Sequence, residues 1–241
     1  MYIDLKPLVK HIENSIAVGQ APTLSILKYG DRKDSKAYIS SIERKASELG
    51  VNVIIQDLKG LDKPELKILE LIEISDAILP VSPFSESMEK IIKHVLFNSL
   101  DVDNFTGTSQ FSNCTGQAVL EILKYLGIGT EKKVTIIGRH IGLEIFKVLL
   151  KADYSPTPVH SKTPPDLAAE RIKDADVLVS ATGVKNLIKK DMVKKGSIII
   201  DVGLGDIEKS VAEIADVTTA RDGVGSVTTA ILFRNIFKTI R

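Results

Sequence analysis

One cysteine in 241 residues leaves Cys114 without a partner for an intrachain disulfide and without a second thiolate for a zinc ribbon, so both kinds of small scaffold are excluded. The four histidines, His11, His94, His140 and His160, stand far apart and never fall at His-x-x-x-His spacing, and no metal is expected. Charge of one sign is also lacking: 32 Lys plus Arg face 31 Asp plus Glu, and no basic run carries interleaved aromatics. Nucleic acid is therefore not an expected partner. No apolar run approaches the ~20 residues that cross a bilayer, so no membrane partner is expected either. The first residues, Met1-Tyr-Ile-Asp-Leu-Lys-Pro, carry charges where a signal peptide has an apolar stretch. A cytoplasmic protein is the expectation.

What is present is ordinary globular composition, 44% hydrophobic and 26% charged, enough to bury a core over one large or two modest domains. Short apolar runs alternate with helical stretches. Leu24–Leu27 reads as a strand, 35–49 as a helix ended by Gly50, Val51–Ile55 as a strand, 64–74 as a helix, Ala77–Leu79 as a strand and 86–97 as a helix. A polar, turn-rich stretch, 101–110, marks a junction. Beyond it the alternation resumes: helix 116–126, strand 134–137, helix 142–151, strand 157–159, helix 165–173, then strands at 177–179, 197–201 and 216–218, and a terminal helix over 228–240. This is α/β, with parallel sheets covered by helices. The expected domains are 1–110 plus 229–241, and 111–228.

Glycines mark the chemistry. Strand 134–137 runs into Gly138-Arg139-His140-Ile141-Gly142 and a helix, a turn at which the backbone can approach a pyrophosphate and free N–H groups can meet it. Such turns also occur where nothing binds. Thr182-Gly183, Asp201-Val-Gly203 and Gly223-Val-Gly225 read as three more glycine-ended strands, all on the edge where open parallel sheets take ligands, which favours a dinucleotide. Arg139, Ser161 and Lys162 offer a cation and a hydroxyl to a 2′-phosphate, and no acidic residue stands at the second strand's end to favour NAD; Arg139 and Lys162 also read as plain surface charges.

In order and spacing these pieces resemble the methylenetetrahydrofolate dehydrogenase/cyclohydrolase family, FolD type. Its Gly-Arg-Ser turn corresponds to Gly138-Arg139-His140, its His-Ser-Lys-Thr to residues 160–163, its Ala-Thr-Gly to 181–183, its Ile-Asp-Val-Gly to 200–203, and the core of its Pro-Gly-Gly-Val-Gly-Pro loop to 223–225, with Thr228 following. In the first half, Pro22-x-Leu24, Gly30-Asp31, Ser35-x-x-Tyr38, Asp101-Val-Asp103 and Cys114-Thr115 match as well. The resemblance implies a folate-side domain and a Rossmann-like domain, hydride transfer from 5,10-methylenetetrahydrofolate to NADP, hydrolysis of the methenyl product, and a homodimer. It places Tyr38 and Asp103 in catalysis and Pro83, Gly223 and Thr228 at the substrate. Gly138, Arg139, Gly142, Ser161, Thr182, Gly183, Gly203 and Gly225 fall to the cofactor.

The departures are specific. The family's Tyr-x-x-x-Lys becomes Tyr38-x-x-x-Ile42, and the Gln of its Val-Gln-Leu-Pro becomes Val81. Lys45 lies two helical turns from Tyr38, and Lys36 points to the other side of the helix. The phosphate turn is also shorter than the family's, and the Gly-Val-Gly loop lacks its prolines. Dehydrogenation without hydrolysis is the expectation that follows. The alternatives are a non-catalytic paralogue that binds folate or nucleotide, and a Rossmann oxidoreductase of another substrate. Without the family, Tyr38 reads as a packing residue, Asp101 and Asp103 as turn and capping residues, Cys114 as a small buried residue, and His140 and His160 as packing or hydrogen-bonding groups.

Overall fold

A computed structural model describes residues 1–16, 19–219 and 222–240, with Lys33 and Asp34 as backbone alone. β1 (Tyr2–Ile3) and α1 (Lys6–Asn14) open the chain. β2 (Thr23–Lys28), α2 (Lys33–Leu49), β3 (Asn52–Asp57), α3 (Pro64–Ile74), β4 (Ala77–Pro80) and α4 (Glu86–Val95) follow. After a long loop come α5 (Cys114–Tyr125), β5 (Val134–Ile137), α6 (His140–Lys151), β6 (Thr157–Val159), α7 (Pro165–Asp174) and β7 (Val177–Ser180). The chain ends through β8 (Ile198–Asp201), β9 (Asp216–Thr218) and α8 (Val224–Thr239).

The chain divides into two compact units. One joins Glu13–Cys114 to Ile231–Arg241, and the other joins Met1–Ile12 to Thr115–Ala230. In the first, β2 lies between β3 and β4, parallel to both. Its residues Leu24 to Leu27 are buried, as in a strand covered on both faces. Helices α3 and α4 bring Ile68, Leu71, Met88 and Ile92 to a core shared with Leu27, Ile78 and Phe84. α2 stops where Gly50 takes the left-handed conformation, φ 72°, and its N–H reaches back to the Ala46 carbonyl. Ser85 caps α4 by accepting the Met88 N–H at 3.3 Å.

In the second unit six parallel strands run in the order β1-β9-β8-β7-β5-β6. Counted from β5, the order is 2-1-3-4-5, one of the two common doubly wound arrangements, with β1 added at the far edge. The order in which strands are added therefore reverses between β5 and β7, the switch point beyond whose C-terminal strand ends sheets of this kind take ligands. The first unit has the same logic in miniature, with its switch between β2 and β4.

Three expectations need correction. Residues 1–12 belong to the second unit, because Tyr2 and Ile3 pair with Val217 and Thr218. Gly223-Val-Gly225 does not end a strand: β9 stops at Thr218 and α8 starts at Val224, four residues before the expected start. α6 likewise begins at His140 rather than 142, because glycine is tolerated in a first helical turn whose N–H groups have no partners inside the helix.

Candidate active site

The first unit gathers Tyr38, Pro83 and Asp103 at the C-terminal edge of β2 and β4. β4 is prolonged when the Val81 N–H donates to the Leu27 carbonyl at 2.8 Å. The next carbonyl, Ser82, accepts from the Ser35 hydroxyl at 3.2 Å, which ties the Pro83 loop to the first turns of α2. The Ser82–Pro83 peptide is cis. Phe84 meets Phe105 edge-on at 5.6 Å, joining this loop to the 101–106 turn. That turn is wound around Asp101, whose buried carboxylate accepts from Phe105 N, Thr106 N and the Thr106 hydroxyl.

Asp103 is held differently. Its Oδ1 accepts the Cys114 N–H at 2.6 Å and the Asn113 amide at 3.2 Å, so the carboxylate sits on the positive end of α5. Tyr38 is half-buried, and burial drives its phenol well above the ordinary value, with the charges of Asp103 and then Cys114 adding. Tyr38 thus offers a protonated phenol and an aromatic face. Cys114 is buried, its thiol pushed far up by desolvation and by Asp103, and it acts as packing rather than as a nucleophile.

Ile42, one turn beyond Tyr38, is completely buried, and Val81 is 6% exposed. Among the lysine side chains described on α2, none replaces the ammonium. Lys45 is committed to Glu13 at 2.6 Å and Glu48 at 3.1 Å. Lys36 lines a surface cavity of about 180 Å³ with Ile39, Ser40 and Glu43, a helical face turned away from Tyr38. Sequence reasoning missed Asn235 on α8, which is buried and donates to the Val102 carbonyl at 3.0 Å and to Cys114 Sγ at 3.6 Å. Only its place on the apolar side of a helix, beside Ile231, Leu232 and Ile236, marks it in the sequence.

In the second unit the cofactor candidates surround the switch point. Gly138 ends β5 at φ 141°, and a Cβ there would lie 2.5 Å from the Ala181 carbonyl oxygen. Only glycine lets β5 and the turn after β7 approach so closely. Gly142 sits in the first turn of α6, where a Cβ would touch Ile136 at 3.6 Å. Arg139 is exposed just before α6. After β6, the His160 N–H donates to the Thr163 hydroxyl and the Lys162 N–H to His160 Nδ1, leaving Ser161 exposed on a fixed turn. Gly183 and Gly225 face open space, whereas a side chain on Gly203 would run into Asp206 and one on Gly223 into the Thr219 carbonyl. Thr228 is buried and its hydroxyl donates to Val224 O within α8, so its hydrogen is spent inside the helix.

Residues 113–241 match the tetrahydrofolate dehydrogenase/cyclohydrolase NAD(P)-binding domain. The bifunctional protein FolD of Dictyoglomus thermophilum is 34% identical over 97% of this chain and 93% of its own. The chain belongs to the FolD family. Among solved structures, the bifunctional FolD of Campylobacter jejuni aligns with a TM-score of 0.85 and 26% identity, over 99% of this chain and 98% of that one. The Trypanosoma brucei FolD, solved with NADP and an inhibitor, aligns at 0.87 and 25% identity over 99% and 97%. Among the described residues of this FolD relative, no group of three His, Cys, Asp or Glu could hold a metal, and no helix is long and apolar enough to cross a membrane.

A buried acid in the second unit gives a pH-dependent stability. Desolvation raises the Asp201 carboxyl above its ordinary value, and Asp206 raises it further, against the lowering bond from the Gly205 N–H. The folded state therefore holds this proton to higher pH than the unfolded chain does, and the site loses stability as pH rises through the folded value. Asp201→Asn, which keeps an oxygen for Gly205, is expected to raise the melting temperature at pH 7 by about 2–4 °C, the scale of 1 kcal/mol in a chain of this size. Below pH 4 the variant and the parent should melt together. Calorimetry across pH 4–8 checks both statements.

Proposed function

We propose that this protein oxidises 5,10-methylenetetrahydrofolate to the methenyl form with NADP as hydride acceptor, and that it does not hydrolyse the product. One observation carries the reading: Tyr38 and Asp103 stay together at the folate-side edge, while buried Ile42 and Val81 stand where the family has its Lys and Gln. Hydride transfer needs position above all, and the pterin nitrogens stabilise the resulting cation. Tyr38 supplies an aromatic face and a donor hydroxyl, Asp103 supplies a fixed negative charge for the pterin, and the Pro83 loop supplies the wall. In the second unit, the close approach at Gly138, the open surface at Gly183 and the N-terminus of α6 fit a dinucleotide pyrophosphate. When bound, the nicotinamide supplies the hydride acceptor.

Arg139 and Ser161 support NADP over NAD, through a charge-assisted contact to the 2′-phosphate worth about 1.5–3 kcal/mol. Calorimetric titration is expected to show NADP binding more than tenfold tighter than NAD in the parent, with the difference largely lost in Arg139→Ala. Equal binding by the parent would refute the preference. The activity itself is tested anaerobically with 5,10-methylenetetrahydrofolate and either dinucleotide, following reduced nicotinamide and methenyl product separately. Absence of reduced nicotinamide with both would overturn the dehydrogenase reading in favour of a non-catalytic binding protein.

A further inference from the structure

Asp206 is fully buried at the C-terminal edge of the second sheet, and it is not among the residues that the glycine motifs pick out. Its Oδ2 takes three donors: the Ser180 hydroxyl at 2.6 Å, the Thr182 N–H at 2.9 Å and the Thr182 hydroxyl at 2.8 Å. Its Oδ1 is buried with no hydrogen-bond partner. A buried carboxylate is expensive, and one with an unsatisfied oxygen more so, so a core built for stability alone would favour an apolar residue here.

The arrangement ties two binding-edge loops to one group. Ser180 and Thr182 belong to the end of β7 and its turn, one side of the switch point. Asp206 itself belongs to the loop after β8, where the Gly205 N–H donates to Asp201 and Gly203 lies so close that any side chain would collide with the Asp206 carboxylate. The Thr182 hydroxyl gives its hydrogen to Asp206 and accepts the Val184 N–H at 3.1 Å. Its one hydrogen and one of its two lone pairs are used inside the protein. What the turn presents outward is the backbone around Gly183, where nothing lies within 4 Å of a built Cβ.

We propose that Asp206 is a positioning residue for the dinucleotide: it fixes the Thr182-Gly183 turn, through the Thr182 side chain, in the one conformation that offers its backbone to the cofactor. Thr182 on this account is a clamp and not a ligand. The proposal rests on the dinucleotide half of the function above, and its binding test needs no folate.

The experiment measures dissociation constants for NADP and NAD, by calorimetry well below every melting temperature, in the parent, Asp206→Ala, Thr182→Val, Thr182→Ser and the Asp206→Ala, Thr182→Val double variant. Asp206→Ala, which removes the acceptor that an Asn would keep, and Thr182→Val are each expected to weaken the preferred dinucleotide about tenfold, the double variant no further than either alone, and Thr182→Ser to bind within twofold of the parent. In the coupled assay KM for the dinucleotide should rise while kcat at saturation stays within about twofold. A purely structural Asp206 would lower the melting temperature and leave the dissociation constants of the folded variants untouched, which would overturn the proposal. So would additive losses in the double variant, or a Thr182→Ser as weak as Thr182→Val. A parent that binds neither dinucleotide overturns both this proposal and the reading beneath it, whereas a parent that binds but does not oxidise the folate overturns the dehydrogenase reading alone.

Discussion

Given 5,10-methenyltetrahydrofolate, the protein is expected to leave it to decay at the rate measured in buffer alone. Hydrolysis requires a group that takes a proton from the attacking water, and such help typically contributes roughly 10²–10⁴-fold. Ile42 and Val81 have no atom that can accept or donate a proton. The phenol of Tyr38 is held protonated by burial and by Asp103. Lys45 is bound to two glutamates and Lys36 faces elsewhere. In the forward assay, methenyl product should therefore accumulate one for one with reduced nicotinamide. Placing only the lysine back should not help: Ile42 is completely buried, and an ammonium there without a partner costs several kcal/mol. Ile42→Lys is expected to lose thermal stability, and only the pair Ile42→Lys, Val81→Gln, which adds an amide partner, is expected to gain hydrolysis. Rapid decay with the unmodified protein would show that water is activated by some other group.

Gly138→Ala is expected to remove dinucleotide binding and to destabilise the second unit by roughly 3 kcal/mol or more. Two effects combine at one atom. The residue occupies φ 141°, a region that costs a side-chain-bearing residue about 1–3 kcal/mol. The new methyl would also lie 2.5 Å from the Ala181 oxygen, which is backbone and cannot rotate away. Relief requires β5 and the turn after β7 to separate at the switch point, where the proposed site would take the pyrophosphate. Gly183→Ala is a useful contrast. It also has positive φ, 68°, but nothing lies within 4 Å, so its cost is strain without collision. Chemical denaturation and NADP titration of the two variants separate these terms, and equal losses would show that the close approach at Gly138 is unimportant.

The βα alternation was legible because every central strand is a short buried run between turn residues, as in Val134–Ile137 and Val177–Ser180. β1 and α1 were not: a two-residue strand has no period, and α1 buries only Leu8 and Ile12. Gly223 and Gly225 misled because glycine marks both a strand's end and a helix's start, and only the backbone tells them apart. Tyr38, Pro83 and Asp103 were named by the family resemblance alone, because on spacing Tyr38 reads as a packing residue and Asp103 as a turn or capping residue. The capping role read for Asp103 holds, but which backbone N–H it accepts, that of Cys114, was not legible because the contact spans a loop of irregular conformation. Asp206 was silent for a simpler reason. One aspartate among 31 acidic residues carries no signal until the fold places Ser180 and Thr182 around it.

The pairing of β1 with β9, and the bond from Asn235 to the Val102 carbonyl across 133 residues, make both units discontinuous in the chain. Neither can be finished in the order in which a ribosome makes it. When residue 114 has been added, the sheet β3-β2-β4 exists without the helix that anchors Val102 and Cys114 next to Asp103. Conversely, the first dozen residues wait for β9, more than 200 residues later, before they find their strand partner. The nascent chain must therefore carry an incomplete edge around Asp103 until α8 has been made, and that edge matures only when α8 docks.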